Sequence, residues 1–207
     1  MTSHGKIRDL NRNRTFAGRF LLHFDSLDST NDYCLKNISV LQKPGLVVVA
    51  DRQTQGRGSR GRTWEPGKGE HLFCSFVIHP EIRQEFIPSM TLFAGLAVFR
   101  AISSLGITQA SIKWPNDILI AEKKVCGILC ESRITPEMKA VVAGIGINIS
   151  GGPEQFPESL REKVTTLSKH GIQITNIELV DLIAGKLDEI LAGIKSSSAL
   201  NAIFQDW

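Results

Sequence analysis

The glycine- and arginine-rich segment QTQGRGSRGRTW, residues 53–64, constrains the fold of this chain more than any other feature. It follows the apolar run LVVVA at Leu46–Ala50 and matches the dinucleotide-binding pattern G-x-G-x-x-G at residues 56–61. In a dinucleotide-binding fold those glycines open a helix that faces the pyrophosphate, but a proline and two glycines within residues 66–69 prevent a helix here. The segment also fails the P-loop pattern G-x-x-x-x-G-K-[ST]. We therefore exclude both of these phosphate-binding folds.

Apolar runs elsewhere in the chain predict a series of strands. Four runs have this character, at residues 20–25, Leu46–Ala50, His71–Ile78 and 138–150. Residues 111–132 predict two further short strands, joined by a turn near residues 121–124.

Helical patterns are interspersed among these strands. A short helix follows the cap residue Ser29, and a longer one follows Pro88 and stops at Gly106. Residues 157–170 predict a helix ended by Gly171, and the capping-box pair Thr175 and Glu178 opens a last amphipathic helix over residues 176–195. Because the strands come in runs and do not alternate regularly with helices, we predict an α+β fold with a mixed β-sheet packed with helices.

Length and composition predict a single domain. With 207 residues, of which 42% are hydrophobic, the chain can bury a full core. We assign residues 17–207 to the domain and residues 1–16 to a loose N-terminal tail. The tail lacks the apolar stretch of a secretory signal, and no apolar run approaches the roughly 18 residues of a membrane span. We expect a cytoplasmic protein with no membrane partner, and its net charge of +3 is too small for a general nucleic-acid binder.

The four cysteines do not predict a metal site, since none forms a C-x-x-C pair. If residues 124–132 form a strand, Cys126 and Cys130 lie on one face about 13 Å apart, beyond the roughly 7 Å limit for a disulfide. We therefore expect buried free thiols and no protein-bound metal.

The chemistry of residues 53–64 suits closure over an anion. Arginine side chains can fork onto phosphate or carboxylate oxygens, and glycines allow backbone N–H groups to come close. Trp64 adds a flat face that could stack on a base. A solvated basic loop that touches nucleic acid is the alternative.

A second unusual stretch, KWPNDI at residues 113–118, interrupts a strand pattern with a turn. Lys124 follows it, and Gly127 has no side chain to block close approach of a ligand to the lysine. Taken alone, Lys124 would be read as a surface lysine in a hairpin turn.

The full series of motifs resembles the catalytic domain of the biotin–protein ligases. DSTN, Q-x-x-GRGSRGRTW, KWPNDI with KK-x-x-GIL, and GIGINI occur in that order, and the resemblance covers roughly residues 20–207. It implies the catalytic fold shared by biotin and lipoate ligases, which is similar to that of class II aminoacyl-tRNA synthetases. It also implies that ATP activates biotin as biotinyl-5′-adenylate, with transfer to one lysine of a biotin carboxyl carrier domain.

The resemblance also implies roles for individual residues. Those matching the biotin-binding positions are Ser29, Thr30, Asn31, Gln53, Gly56, Arg57, Gly58, Ser59, Lys124 and Gly127. Those matching the ATP and adenylate positions are Arg60, Arg62, Trp64 and Asn148. Lys124, Arg57 and Asp117 match positions that take part in the chemistry.

This chemistry is consistent with the residue types. A carboxylate that attacks the α-phosphate brings two anions together, and Arg57, Arg62 and Lys124 can screen their repulsion. Mg²⁺ carried by the ATP phosphates would help, so no metal site on the protein is required. Asp117 could orient or deprotonate the acceptor lysine in the second step, or it could simply cap its turn.

The chain departs from the family at one loop position and at both ends. Many relatives carry a second arginine where this chain has Ser59, which suggests that the adenylate leaks more easily here. Too few residues precede the catalytic pattern for the winged-helix domain of some bacterial ligases, so we expect no DNA partner. The SH3-like C-terminal domain of the family also has no counterpart, which indicates either a minimal ligase or a truncated chain. Family members often form homodimers.

Two other functions remain open. A lipoate–protein ligase would have the same fold and also use a lysine and an adenylate. An octanoyltransferase is disfavoured, because it would need an activated cysteine and no cysteine here lies beside a motif that would activate it. The alternative of another class is a non-catalytic biotin- or nucleotide-binding protein.

Overall fold

A computed structural model describes residues 7–81 and 84–194 of the chain. Its centre is an eight-stranded sheet with the order β1-β2-β3-β4-β8-β7-β6-β5. The strands are β1 Arg8–Asp9, β2 Phe20–Phe24, β3 Leu46–Ala50, β4 His71–Ile78, β5 Ala110–Lys113, β6 Asp117–Ile120, β7 Lys123–Ile134 and β8 Lys139–Asn148. The helices are α1 Thr30–Lys36, α2 Ile38–Leu41, α3 Met90–Ser104 and α4 Asn176–Gly193.

The sheet is mixed, as predicted. Strands β2 and β3 run parallel, while the other pairs of described strands are antiparallel. The α+β prediction is therefore confirmed.

One face of the sheet carries the large core, and the other carries a smaller core and a cavity. Along β8, Val141, Ala143, Ile145 and Ile147 belong to the large core under α3 and α4. Because side chains alternate between faces along a strand, the residues between them point to the opposite face. There Val142 joins a smaller core beside α1, and the positions that continue this face toward the end of β8 border the cavity described below.

The long helix α3 is the main cover of the large core. It follows a 3-10 turn at Gln84–Ser89, and the combined segment Gln84–Ser104 is long and apolar enough to cross a membrane by these two measures alone. Its apolar stretch is 56% buried within the protein, as is usual for a core helix. The helix ends before Gly106, whose φ of 90° supplies the predicted stop.

The described part of the predicted loose tail is attached to the domain. Strand β1 pairs with β2, and Arg14 binds the side chain of Asp181 in α4 at 2.8 Å. One oxygen of Asp188 accepts the backbone N–H groups of three consecutive residues, Thr15, Phe16 and Ala17. The prediction was wrong for residues 8–16 because these contacts reach far along the chain and leave no local pattern. Residues 1–6 lie outside the described residues.

Two element predictions also need correction. Residues 157–170 form 3-10 turns at Glu158–Leu160 and Leu167–His170 rather than one helix. The chain between them runs beside the start of β7, where Thr165 N–H donates to the Lys124 carbonyl at 2.9 Å. Residues 111–132 contribute to three strands, not two, because the KWPND turn separates β5 from β6.

Several local signals are confirmed. Ser29 caps α1, and the capping box of Thr175 and Glu178 opens α4 with both of its hydrogen bonds formed. Gly171 ends the last 3-10 turn with a φ of 79°. The predicted last helix is described as far as residue 194, and its final residue lies outside the described residues.

Candidate active site

A cavity of about 460 Å³ lies on the face of the sheet opposite α3 and α4. Three glycines make room for it. Gly127 and Gly146 are direct partners across β7 and β8, and Gly144 is the next residue of β8 on the same face. A Cβ atom on Gly144 would lie 2.2 Å from Asn31 Oδ1, and one on Gly127 would lie 2.5 Å from the Trp64 ring. Glycine at these two positions therefore lets Asn31 and the Trp64 ring lie directly against the floor of the cavity.

One end of the cavity is polar but uncharged. Capping of α1 by Ser29 places Thr30 and Asn31 at the start of the helix, where both side chains are almost fully buried. Gln53 Oε1 accepts the backbone N–H of Thr30 at 2.7 Å and its hydroxyl at 3.1 Å. Ser75 Oγ lies 2.6 Å from Asn31 Oδ1 and closes the group from strand β4.

These bonds fix what this end can offer to a ligand. The amide nitrogen of Asn31 donates to the Leu129 carbonyl and to Glu131, each at 3.0 Å, so both of its protons are used. Asn31 can therefore only accept a further hydrogen bond, through Oδ1. The oxygen of Gln53 is engaged twice, which leaves its amide nitrogen as a donor. Acceptor and donor groups thus lie side by side.

Residues 53–64 form a narrow hairpin above the cavity. Gly58 N–H donates to the Arg62 carbonyl at 2.7 Å, and Trp64 N–H donates to the Gly56 carbonyl at 2.9 Å. Its tip is a 3-10 turn that ends at Gly61 with a φ of 73°, a conformation that favours glycine.

Ser59 ties the tip of this hairpin to the KWPND turn. Its hydroxyl oxygen accepts from Arg62 at 3.0 Å and from the Asn116 side chain at 3.2 Å. Asn116 also donates to the Ile128 carbonyl of β7 at 3.2 Å. Ser59 is therefore part of a hydrogen-bonded link between the two motifs.

Arg57 is held by two carboxylates at the side of the cavity. It contacts Asp32 of α1 and lies 2.7 Å from Glu131 of β7, and Lys36 binds the second oxygen of Asp32 at 3.0 Å. Hydrogen bonding to Asp32 raises the pKa of Arg57 against the opposing effect of burial. Partial burial works to raise the pKa of Asp32, but the hydrogen bonds from Lys36 and Arg57 lower it overall. Two cations and two anions balance, so the charge of Arg57 is already compensated by these neighbours.

Lys124 and Trp64 occupy the middle of the cavity. Lys124 Nζ lies 2.6 Å from Asp117 Oδ1, in an ion pair whose angles are not those of a directed hydrogen bond. The same nitrogen lies 5.3 Å from the centre of the Trp64 ring, within range of a cation–π contact. The indole covers Gly127 and Gly146, and among the described residues its buried Nε1 has no hydrogen-bond partner.

Asn148 borders the far end of the cavity. Its amide nitrogen donates to the Thr165 carbonyl at 3.2 Å, and its oxygen lies 3.2 Å from Nδ1 of His71. The other ring nitrogen of His71 lies 3.1 Å from the Gly67 carbonyl. Burial lowers the pKa of His71, although both hydrogen-bond partners favour its charged form.

Most of the residues predicted from the sequence meet at this one cavity. Those that line it are Ser29, Thr30, Asn31, Gln53, Arg57, Gly58, Ser59, Arg62, Trp64, Lys124, Gly127 and Asn148. Gly56 instead packs against Trp64, and Asp117 reaches the cavity through Lys124. The side chain of Arg60 lies outside what the structure describes.

The sequence analysis missed several residues at this site. They are Asp32, Ser75, Glu131, Asn116, His71, Gly144 and Gly146. Glu131 could have been found, because it lies four residues after Gly127 on the same strand and therefore faces the same side. Within residues 7–81 and 84–194, no group of three His, Cys, Asp or Glu side chains could hold a metal ion.

All four cysteines are free, and burial raises the pKa of each thiol. The pKa of Cys34 is about 12, and Cys74, which lines the cavity, is shifted in the same direction. An acyl-transfer nucleophile needs the opposite shift.

Comparison with known proteins agrees with this fold. The sequence pattern of the Biotin/lipoate A/B protein ligase family matches residues 23–148, so the chain belongs to that family. The bifunctional ligase/repressor BirA of Bacillus subtilis (strain 168) is 38% identical over 153 residues, which cover 73% of this chain and 47% of that protein. This chain therefore spans about half the length of that relative.

Two further relatives have closer overall lengths. The biotin–[acetyl-CoA-carboxylase] ligase of Paracoccus denitrificans is 34% identical over 166 residues, covering 76% of this chain and 67% of that protein. The structure of the biotin protein ligase from Aquifex aeolicus in complex with biotin and ATP superposes with a TM-score of 0.71 and 31% identity. That superposition covers 86% of this chain and 73% of the Aquifex chain.

Proposed function

We propose that this protein is an ATP-dependent, AMP-forming biotin–protein ligase. It would join biotin to ATP as biotinyl-5′-adenylate and then transfer the biotinyl group to a lysine of a biotin carboxyl carrier domain. The observation that carries the proposal is a single cavity with an uncharged hydrogen-bonding end, a glycine floor and a lysine at its middle.

The uncharged end matches the bicyclic ring of biotin. A ureido group presents one carbonyl acceptor and two N–H donors, and the cavity offers a donor at Gln53 and an acceptor at Asn31. The hydroxyl of Ser29 is within the same lining and can serve in either sense. A site that hydrogen-bonds a ligand in this way discriminates strongly against one that lacks the matching groups.

The middle of the cavity suits the reacting carboxylate and the α-phosphate. Lys124 supplies a positive charge there, and Arg62 lines the cavity from the hairpin. Arg57 is shared between two carboxylates, Asp32 and Glu131, whereas Lys124 is paired with one, Asp117. We therefore assign most of the screening to Lys124 and Arg62. Mg²⁺ bound to the ATP phosphates would neutralise further negative charge during the displacement.

The second step requires a deprotonated acceptor lysine. Asp117 lies beside Lys124. We assign its carboxylate to orienting or deprotonating the amine of the acceptor lysine. Two observations support adenine beyond Lys124: Trp64 supplies a flat face in the middle of the cavity, and Asn148 borders its far end. A cytoplasmic location is part of this proposal, since the reaction would consume ATP and act on a carrier domain of this kind.

A lipoate ligase is the second candidate because the family includes both activities. The hydrogen-bonding end favours biotin, since the dithiolane ring of lipoate has no N–H or carbonyl group to pair with Gln53 and Asn31. The raised thiol pKa of Cys74 disfavours an octanoyltransferase that would use a cysteine nucleophile.

The test is pyrophosphate release from Mg·ATP in the presence of biotin, lipoate or octanoate. Biotin-dependent release is expected. Pyrophosphate release with lipoate but not with biotin would assign the protein to the other activity of the family. If the folded protein releases no pyrophosphate with any of the three acids, a binding protein is supported.

A further inference from the structure

Glu131 connects two parts of the site that the sequence motifs treat separately. Its Oε2 accepts from the Asn31 amide at 3.0 Å, and its Oε1 accepts from Arg57 Nη2 at 2.7 Å. Asn31 belongs to the uncharged end of the cavity, whereas Arg57 belongs to the hairpin above it. The Glu131 side chain is 23% exposed and reaches both from strand β7.

The contact with Glu131 helps to decide the orientation of the Asn31 amide. If the amide were flipped, its oxygen would face both the Glu131 carboxylate and the Leu129 carbonyl, and its nitrogen would face Ser75. Three acceptor–donor pairs therefore agree on one orientation, with Oδ1 toward the cavity. The negative charge of Glu131 strengthens this preference because hydrogen bonds to an ionised acceptor are stronger than those to a neutral one.

The same carboxylate holds Arg57 in place. Asp32 provides the other anchor of the guanidinium, from helix α1. Only the Glu131 anchor also touches the amide that we assign to ligand recognition. A change in the position of Asn31 is thus transmitted to Arg57 through one rigid, two-oxygen group.

We propose that Glu131 is a positioning residue that couples recognition of the ureido ring to the placement of the Arg57 hairpin. This inference rests on the proposed function. In this arrangement a ligand that donates a hydrogen bond to Asn31 Oδ1 fixes the Asn31 amide, which stabilises the position of Glu131. Glu131 in turn holds Arg57 and so places the hairpin over the ligand. Ring binding and hairpin placement then support each other.

Glu131→Gln separates the two contacts with little change in shape. A glutamine side chain has a single acceptor oxygen, so it can satisfy Asn31 or Arg57 but not both, and its NH₂ group faces the other donor. We expect the Kd and the KM for biotin to rise about tenfold, the size expected for losing one hydrogen bond to a charged group. The KM for ATP should change less than twofold.

Glu137→Gln is the matched control. It makes the same charge change on an exposed residue of the turn between β7 and β8, away from the cavity. Biotin and ATP parameters of this variant should equal those of the wild type. Thermal unfolding of both variants shows whether they remain folded.

The combination with Arg57→Gln tests the coupling itself. If both residues act through one connection, the double variant should weaken biotin binding by clearly less than the product of the two single effects. Asp32→Asn, which removes the other anchor of Arg57, should raise the Kd for biotin less than Glu131→Gln does.

Three results would overturn the inference. They are an unchanged Kd for biotin in Glu131→Gln, equal increases in both KM values, and fully multiplicative effects in the double variant. The Kd for biotin is measured by calorimetric titration of the wild type and the variants. If the proposed function is wrong, the wild-type protein itself does not bind biotin in this titration, so the two failures are distinguishable.

Discussion

The ammonium group of Lys124 lies 2.6 Å from the carboxylate of Asp117, where strands β6 and β7 pair. The two residues were predicted to act in different steps, the lysine in adenylate formation and the aspartate in transfer. Their contact means that Asp117 also orients Lys124 before any anion is bound. A carboxylate or phosphate that binds there would share the Lys124 ammonium group with Asp117. Because Asp117 keeps its contact, Lys124 stays in the middle of the cavity.

Replacing Lys124 with alanine should abolish most of the adenylation activity. The variant leaves Asp117 without its cation and removes the charge that we assign to screening the two reacting anions. We expect biotin-dependent pyrophosphate release to fall at least about 100-fold, the usual size for loss of one such group.

Lys123→Ala is the control for this measurement. Lys123 is the preceding residue, and its pair with the exposed Glu162 is a surface contact at 3.4 Å. Release by this variant should stay near the wild-type rate. Equal losses in the two variants would contradict the assignment of Lys124.

Gly127→Ala should displace Trp64 from the floor of the cavity. The new methyl group would lie 2.5 Å from the indole ring and 3.1 Å from Lys124 Nζ, so the ring must move. We expect weaker ATP binding, a red-shifted tryptophan emission and a loss of about 1–3 kcal/mol in the free energy of unfolding.

Gly193→Ala provides the matched glycine substitution. Among the described residues, no heavy atom lies within 4 Å of a Cβ added there, and the position is in helix α4. This variant should bind ATP normally and be slightly more stable, because alanine favours a helix over glycine by up to about 1 kcal/mol. Unchanged ATP binding and emission in Gly127→Ala would show that Trp64 does not depend on the glycine floor.

Asp188→Ala should loosen the attachment of residues 15–17 to helix α4. Three backbone N–H groups lose their acceptor, at distances of 3.1, 2.6 and 3.0 Å. We expect a loss of about 1–3 kcal/mol, which lowers the Tm by several degrees in a protein of this size.

Glu189→Ala is the comparison for the loss of a charge from the same helix. Glu189 is 64% exposed and pairs only loosely with Lys186, at 3.4 Å. Its removal should change stability by less than about 1 kcal/mol. Equal Tm values for the two variants would mean that the N-terminal segment is not held by Asp188.

The buried His71 should make the protein less stable in mild acid. Burial lowers its folded-state pKa below the ordinary value of 6.5, so the unfolded chain binds more protons in this range. Protonation of His71 therefore does not reduce the free energy of unfolding well above pH 6.5. Below that pH the free energy of unfolding falls, by at most about 1.4 kcal/mol per pH unit for this one group.

Chemical denaturation of the wild type and His71→Gln between pH 5 and pH 7 measures this effect (about two pH units around the histidine range). The variant should show a shallower dependence. Some slope should remain, because burial and the charge of Lys169 also lower the pKa of His170. Parallel curves for the two proteins would rule out His71 as a source of acid sensitivity.

The sequence predicted those features that depend on neighbouring residues. Ser29 and the pair Thr175 and Glu178 cap helices through side chains that act within three positions, so their residue types alone indicate the boundary. The hairpin at residues 53–64 and the KWPND turn were found because their composition is unusual for a simple scaffold. These two motifs contribute part of the cavity lining, including Arg57, Trp64 and Asn116.

Features that depend on sheet register could not be predicted in the same way. Ser75 is an ordinary strand residue until it is placed opposite Gly144, beside Asn31. The face on which Glu131 lies follows from its position in β7, but its partners are 74 and 100 positions away and leave no local signal. The helix predicted over residues 157–170 was wrong for a related reason, because backbone bonds to Lys124 hold that segment against β7.

The most direct test of the proposed ligase is covalent transfer to a carrier protein, followed by intact-mass spectrometry. The protein is incubated with biotin, Mg·ATP and a purified biotin carboxyl carrier domain, beside the same domain with its acceptor lysine changed to arginine. We predict that one biotinyl group is added to the unmodified carrier domain and none to the arginine variant. An unmodified carrier domain, or one that gains a lipoyl group instead when lipoate is supplied, would contradict the account.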